Sequence, residues 1–221
     1  MSWKANLLIP VARVYTESEM TDSGETGGAQ STATRPGKRE RLVGAAADLL
    51  YRQGVEKTTL ADIAQAADVP LGNVYYYFKT KDAIVDAVVE AHVQGLEETL
   101  ASLDSRYRSP KGRLKGLTRT LAGRHEVIAQ FGCPHGTLCS ELEKRAGDDD
   151  HAVTRLVEIP IAWAEEQFRA LGRPDAHELA VEFIASYQGT AVLTQALREP
   201  ELLSREGRRL ERWIDSLETT D

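Results

Sequence analysis

Between two short helical patterns, residues 60–67 and 71–78, the chain carries only Asp68-Val69-Pro70, and this break constrains the fold more than any other feature. Proline cannot continue a helix but readily begins one, so the break reads as a tight turn with Leu71 to Phe78 as a new short helix. Upstream, Leu42, Ala45, Ala46, Leu49 and Leu50 recur at helical spacing within Lys38 to Gln53, and Gly54 supplies a stop. Thr58-Thr59 offers an N-cap, Asp62 favours the positive helix end, and Leu60, Ile63, Ala64 and Ala67 form a buried stripe. Downstream, Thr80 followed by Lys81-Asp82 opens a long helix through about Leu103. Three short helices with a tight turn between the second and third describe a helix-turn-helix unit.

The third helix contains Tyr75-Tyr76-Tyr77, three consecutive aromatics that fit neither an amphipathic helix face nor a strand face. Helical geometry explains them. Val74 and Phe78 lie four apart and share a face, so this pair anchors the helix. Relative to Val74, the tyrosines sit at about 100, 200 and 300 degrees around the axis and fan around the outside. Gly72, one turn before Tyr76, lets the backbone approach a surface closely, with Asn73 and Lys79 flanking that line. Such a surface suits the DNA major groove: tyrosine hydroxyls and lysines bond phosphates, asparagine pairs with adenine, and rings pack on sugars or thymine methyls. By itself it equally suits a tyrosine-rich protein interface.

Composition sets the frame for this unit. With 42% hydrophobic and 28% charged residues the chain is globular, and sparse aromatics with abundant Ala, Leu, Glu and Arg predict a mostly helical fold. The net charge of -7 at first opposes a nucleic-acid role, but its distribution does not: Arg35 to Lys81 carries a small basic excess, and the remainder a larger acidic one. Cys133 and Cys139 make no disulfide framework. No apolar run reaches the roughly 20 residues of a membrane span, which predicts a cytoplasmic protein with no membrane partner. Residues 1–34, rich in Ser, Thr, Gly and Glu, are expected to be a flexible tail; alternatively Trp3, Leu7, Leu8 and Ile9 dock somewhere, or the true start is Met20.

Taken together, LLYRQG, TTLADIAQAADV and LGNVYYYFKTKDAIVDAVV, within Arg39 to Val88, resemble the DNA-binding domain of the tetracycline-repressor (TetR) family. The resemblance implies an all-α protein: a helix-turn-helix domain at 35–82 and a larger helical effector-binding and dimerisation domain at 83–221. It implies that positions matching Leu71, Gly72, Asn73 and Tyr76 face bases, that those of Tyr75, Tyr77 and Lys81 meet phosphates, and that Thr59 touches the DNA backbone. Pro70 departs from the family pattern, in which serine often caps this helix, because proline has no capping hydroxyl. The implied function is that of a dimeric repressor, not an enzyme, which binds double-stranded palindromic operator DNA and releases it on binding a small molecule.

From Ala83 onward the pattern is helical, with breaks expected near Pro110, Gly132 to Gly136, Gly147, Gly172 to Pro174 and Glu199-Pro200, giving about six helices. Within the last of these, Leu210, Trp213, Ile214 and Leu217 share a face that either packs inside the subunit or joins an intersubunit bundle. In the resembled family the last two helices build the dimer, which implies Gly189, Leu193, Leu197, Leu210, Trp213 and Leu217 as interface candidates. GCPHGTLCSEL is similar to a segment of that family's LmrA and YxaF branch, whose members respond to hydrophobic, often aromatic, compounds. Phe131, Trp163, Gln167, Phe183 and Tyr187, with Cys133, are effector-binding candidates because they combine aromatic walls with polar handles.

Cys133, just before Pro134 at an expected helix start, could be an activated thiolate in a redox or electrophile sensor with Cys139, or a small buried packing residue. In continuous helix the two cysteines stand too far apart for a disulfide. Cys133, His135 and Cys139 supply three potential zinc ligands without a fourth at standard spacing, so no metal or cofactor is expected. His125-Glu126 and the acid-rich turn from Gly147 to Asp150 are expected at the surface or at caps. No nucleophile-base-orienter set, nucleotide loop or HExxH pattern supports the remaining alternative, a small helical enzyme.

Overall fold

A computed structural model describes residues 36–144 and 152–217. The expected tail at 1–34 and the acid-rich turn from Gly147 to Asp150 lie outside these. The described residues form an all-α structure without strands: α1 (Lys38–Gln53), α2 (Leu60–Ala66), α3 (Leu71–Tyr77), α4 (Lys81–Arg106), α5 (Pro110–Ala122), α6 (His125–Phe131), α7 (Pro134–Glu143), α8 (Arg155–Ala170), α9 (Ala176–Leu197) and α10 (Glu201–Ser216), with one 3-10 turn at Ala152–Thr154. None of these helices is long and apolar enough to cross a membrane. The chain divides into two compact units, Met1–Ala91 and His92–Asp221, whose boundary falls within α4.

In the first unit, α1 buries Leu42, Val43, Ala46, Ala47 and Leu50. The buried stripe is therefore rotated from the expected one, with Val43 and Ala47 inward and Ala45 and Leu49 only half-buried, because the neighbours packed on a helix, α2 among them, decide which flank of its apolar face is covered. Gly54 ends α1 at φ 84, its N-H bonding Leu50 O at 2.9 Å, a left-handed position where glycine carries no Cβ penalty. Thr59 caps α2: its hydroxyl accepts from the Asp62 N-H, and the Asp62 carboxylate accepts from the Thr59 N-H at 3.0 Å and from its hydroxyl at 2.7 Å. These hydrogen bonds hold the Asp62 carboxyl below the usual range. Thr80 caps α4 by accepting from the Ala83 N-H at 3.1 Å.

In the second unit α9 is central, packing against α8, α10 and α6. Its main core joins Phe168 of α8, Phe183 of α9 and Trp213 of α10, with Phe168 edge-on to both other rings and Phe183 stacked on Trp213 at 6.5 Å. A smaller cluster gathers Ile128, Cys133, Tyr187, Ala191 and Leu203. One break was not expected: the chain turns at Gly123-Arg124, dividing α5 from α6. Residues 110–131 read as one helical pattern because Gly123 alone is a weak stop signal, being tolerated inside helices.

Candidate nucleic-acid interface and the helical body

The turn between α2 and α3 is built by backbone hydrogen bonds. Asp68 adopts the left-handed conformation, φ 52; its N-H donates to Gln65 O at 3.2 Å and the Val69 N-H to Ala64 O at 3.0 Å. These are the paired bonds of a Schellman motif, which normally places glycine where Asp68 stands. α3 then starts at Leu71 behind Pro70, which makes no side-chain cap bond. Val74 is fully buried and Phe78 is 3% exposed, so α3 is seated by this pair.

The opposite face is open. Tyr76 is 76% exposed, Tyr75 49%, Leu71 42% and Tyr77 37%, large apolar areas that a lone surface helix has no internal reason to present. A Cβ built on Gly72 meets nothing within 4 Å. Asn73 is half-buried and its N-H bonds Pro70 O at 2.8 Å. The Tyr76 and Tyr77 rings meet edge to face at 5.0 Å, which orients both. Two expected backbone-contacting residues have internal partners: the Lys81 ammonium donates to Glu56 O at 3.1 Å, and the Thr59 hydroxyl proton serves Asp62. The ammonium keeps further protons for a phosphate.

Sequence reasoning passed over two α1 arginines. Arg41 donates to Ala67 O at 3.0 Å and Asp68 O at 3.2 Å, and the Arg39 guanidinium lies 5.4 Å from the Phe78 ring centroid. Their spacing carries no periodic signal, since charged residues near a helix start are ordinarily solvated.

In the body, the six effector candidates do not form one site. Trp163, Gln167 and Phe183 belong to the main core or its edge: the indole N-H reaches the Asp104 carboxylate at 3.1 Å, and Gln167 accepts from Arg113 at 3.2 Å. Cys133 and Tyr187 belong to the smaller cluster, with the Tyr187 hydroxyl 3.6 Å from Cys133 Sγ, while Phe131 is half-buried. A narrow crevice lined by Leu121, Phe183, Tyr187, Leu203, Glu206 and Gly207, among others, is where two of the six meet.

The interface candidates also separate. Leu210 is 4% exposed and occupied inside the subunit, whereas Trp213 and Leu217 pack against the main core while staying half-buried. The reason is that α10 lays its apolar face on α5 and α9. Gly189, Leu193 and Leu197 lie on the outer face of α9 instead, Leu193 55% and Leu197 62% exposed, joined there by Val192 at 64% and Val181 at 41%. The two valines were missed because α9 is apolar nearly all round, so its sequence does not mark which face is outermost.

Cys133 is the N-cap of α7 and is buried, and Cys139 is half-buried with its thiol directed to Val153 O at 3.4 Å. Burial, with smaller contributions from Cys133 and Glu143, pushes the Cys139 thiol up to about 11, which favours the protonated form over the nucleophilic thiolate at neutral pH. Among the described residues no group of three or more His, Cys, Asp or Glu is gathered to hold a metal. His135 is buried and meets the buried His92 ring edge to face at 5.3 Å. Burial lowers the imidazoles to about 3 and about 4 respectively, reinforced at His135 by His92 and Arg124 and at His92 by Arg124, so both are neutral.

Among the described residues, a short, outward-facing aromatic helix behind a tight turn in an all-helical structure defines a helix-turn-helix fold. Residues 42–88 match the family described as bacterial regulatory proteins, tetR family. Over this segment the chain matches that family's model, and the fold of its described residues is similar to that of solved TetR-family regulators. It is 27% identical over 174 residues, 75% of this chain and 87% of the relative, to an uncharacterized HTH-type transcriptional regulator in the lacX 3' region of Lactococcus lactis subsp. lactis. It is 33% identical to the HTH-type transcriptional repressor NemR of Escherichia coli (strain K12) over 45% of this chain, a match that spans about half of that relative. The crystal structure of a TetR-family transcriptional regulator from Streptomyces coelicolor superposes with a TM-score of 0.71 at 19% identity, covering 80% of this chain and 93% of that one.

Proposed function

We propose that the protein is a homodimeric, effector-responsive transcriptional repressor that lays α3 in the major groove of a palindromic operator. The observation that carries this is the division of α3 into a buried anchor, Val74 with Phe78, and an open face of Leu71, Gly72, Tyr75, Tyr76 and Tyr77. In this reading Leu71, Gly72, Asn73 and Tyr76 meet base edges, while Tyr75, Tyr77 and Lys81, with Thr59, meet the phosphate backbone. Two copies pair through the apolar outer face of α9, so that two recognition helices reach successive major grooves about one DNA turn apart. Repressor-named relatives support the direction of regulation.

The effector is a hydrophobic or aromatic small molecule taken up by the body, a reading supported by the GCPHG segment's similarity to the LmrA and YxaF branch. It enters beside Phe183 and Tyr187, and it lowers DNA affinity by favouring the state that binds DNA less well. Thiol sensing is the weaker reading, because Cys139 is held protonated and Cys133 is buried.

Selection of duplexes from a random pool by the full-length protein, followed by footprinting, tests this. A palindrome with half-sites one turn apart is expected, and failure to enrich any palindrome at low salt sinks the reading. Tyr76→Ala should relax base preference, whereas Lys81→Ala should weaken all duplexes alike and make the salt dependence shallower by about one unit.

A further inference from the structure

The helix-turn-helix geometry rests on a turn that Asp68 alone holds poorly. A Schellman motif satisfies the carbonyls of Ala64 and Gln65, but supplies no partner for those of Ala67 and Asp68. Arg41 of α1 takes both, its Nη1 donating to Ala67 O at 3.0 Å and to Asp68 O at 3.2 Å. The Arg41 side chain is 22% exposed and its Nε is buried without a partner, so it is inserted into the unit instead of reaching outward. The accompanying ion pair with the Asp68 carboxylate, at 3.8 Å on a 92% exposed side chain, adds little. A cation at the C-terminal end of α2 also complements the helix dipole.

The consequence falls on α3, which begins at Leu71, immediately after this turn, with no side-chain cap at Pro70 to set its direction. At its far end, Phe78 is covered by the Arg39 guanidinium. We propose that Arg41 is a positioning residue for sequence recognition: it holds Asp68 in the left-handed conformation and thereby sets the angle at which α3 presents its open face. It acts through the turn, without touching DNA. This rests on the DNA-binding reading above.

The test uses the full-length protein and the duplex that the wild type selects, with a scrambled duplex beside it, across a salt series. Arg41→Ala should bind the selected duplex roughly tenfold more weakly, lose much less on the scrambled duplex, and keep the wild-type salt slope. Asp68→Gly in the Arg41→Ala background should recover most of the loss, because glycine adopts the left-handed conformation without help. A slope shallower by about one unit marks a lost phosphate contact and overturns the proposal; so do equal losses on both duplexes, unchanged affinity, or absence of rescue by Asp68→Gly.

If Arg41→Ala does not fold, Arg41→Lys decides. One ammonium cannot reproduce the guanidinium fork, so a partial loss at unchanged slope is expected, and wild-type affinity overturns the proposal. Amide exchange without DNA gives an independent arm: the Asp68 and Val69 N-H groups should exchange faster in Arg41→Ala, and unchanged exchange overturns the claim that Arg41 holds the turn. A wild type that selects no duplex removes the DNA reading and the proposal with it, whereas normal wild-type selection with an indifferent Arg41→Ala removes the proposal only.

Discussion

His92 and His135 are uncharged at neutral pH because each ring would have to be protonated while buried in the body, His92 against Arg124 and His135 against both His92 and Arg124. Their folded values, about 4 and about 3, lie below the ordinary imidazole value of 6.5. The unfolded chain therefore takes up protons first as pH falls. Their contribution to stability is whole above pH 6.5 and is lost as pH drops from there toward 4, by roughly 2 kcal/mol per histidine at pH 5. Asp62, Glu165, Asp175 and Asp215, whose carboxyls hydrogen bonds hold below their usual values, act in a lower window, losing their contribution only as they are protonated. Urea midpoints measured between pH 7 and 5 should show a steep acid loss that becomes shallow in His92→Gln, His135→Asn protein. An unchanged slope in that variant would place the acid sensitivity elsewhere.

At the scale of elements, the helix ends carry the testable energetics. Thr59→Ala removes the hydroxyl half of the α2 capping box, leaving the backbone N-H to the Asp62 carboxylate, and should lower stability by about 1 kcal/mol, read as a lower urea midpoint at constant m-value. The same alanine substitution should have opposite signs at two glycines. Gly132, between α6 and α7, has φ 86, and a Cβ there would lie 2.7 Å from Gln195 Oε1. Gly132→Ala should therefore destabilise by on the order of 1–2 kcal/mol, chiefly through the backbone, since the end of Gln195 can move. Gly189 lies within α9 with nothing within 4 Å of its Cβ position, so Gly189→Ala should stabilise the monomer by roughly 1 kcal/mol through helix propensity.

For the whole molecule, among the described residues the outer face of α9 is, beside that of α3, an apolar face that a single chain leaves uncovered. If two copies cover it, Leu193→Glu with Leu197→Glu should convert the protein to monomers in sedimentation velocity, because each charge would be buried against an apolar partner. Affinity for a palindromic duplex should then fall to that for an isolated half-site, since the second contact is no longer linked to the first. The helical content should not change, because neither side chain packs inside the subunit. A variant that remains dimeric would assign the pairing surface to another face.

Much of this was legible along the chain because it is local. The Gly54 stop, the Thr59 and Thr80 caps, the bounds of α1 and the Val74 and Phe78 anchor follow from spacing and from the chemistry of helix ends. The outward fan of Tyr75, Tyr76 and Tyr77 follows from 3.6 residues per turn. Tertiary structure alone decided the rest. It turned the α1 stripe toward Val43 and Ala47, buried Leu210 and seated Trp213 and Leu217 within the subunit, divided the effector candidates between two clusters, and brought His92 to His135. It also joined Arg41 to a turn 26 residues downstream. The physical reason is that a helix's own sequence determines where its apolar face lies, whereas which part of that face is covered depends on neighbours brought from far along the chain.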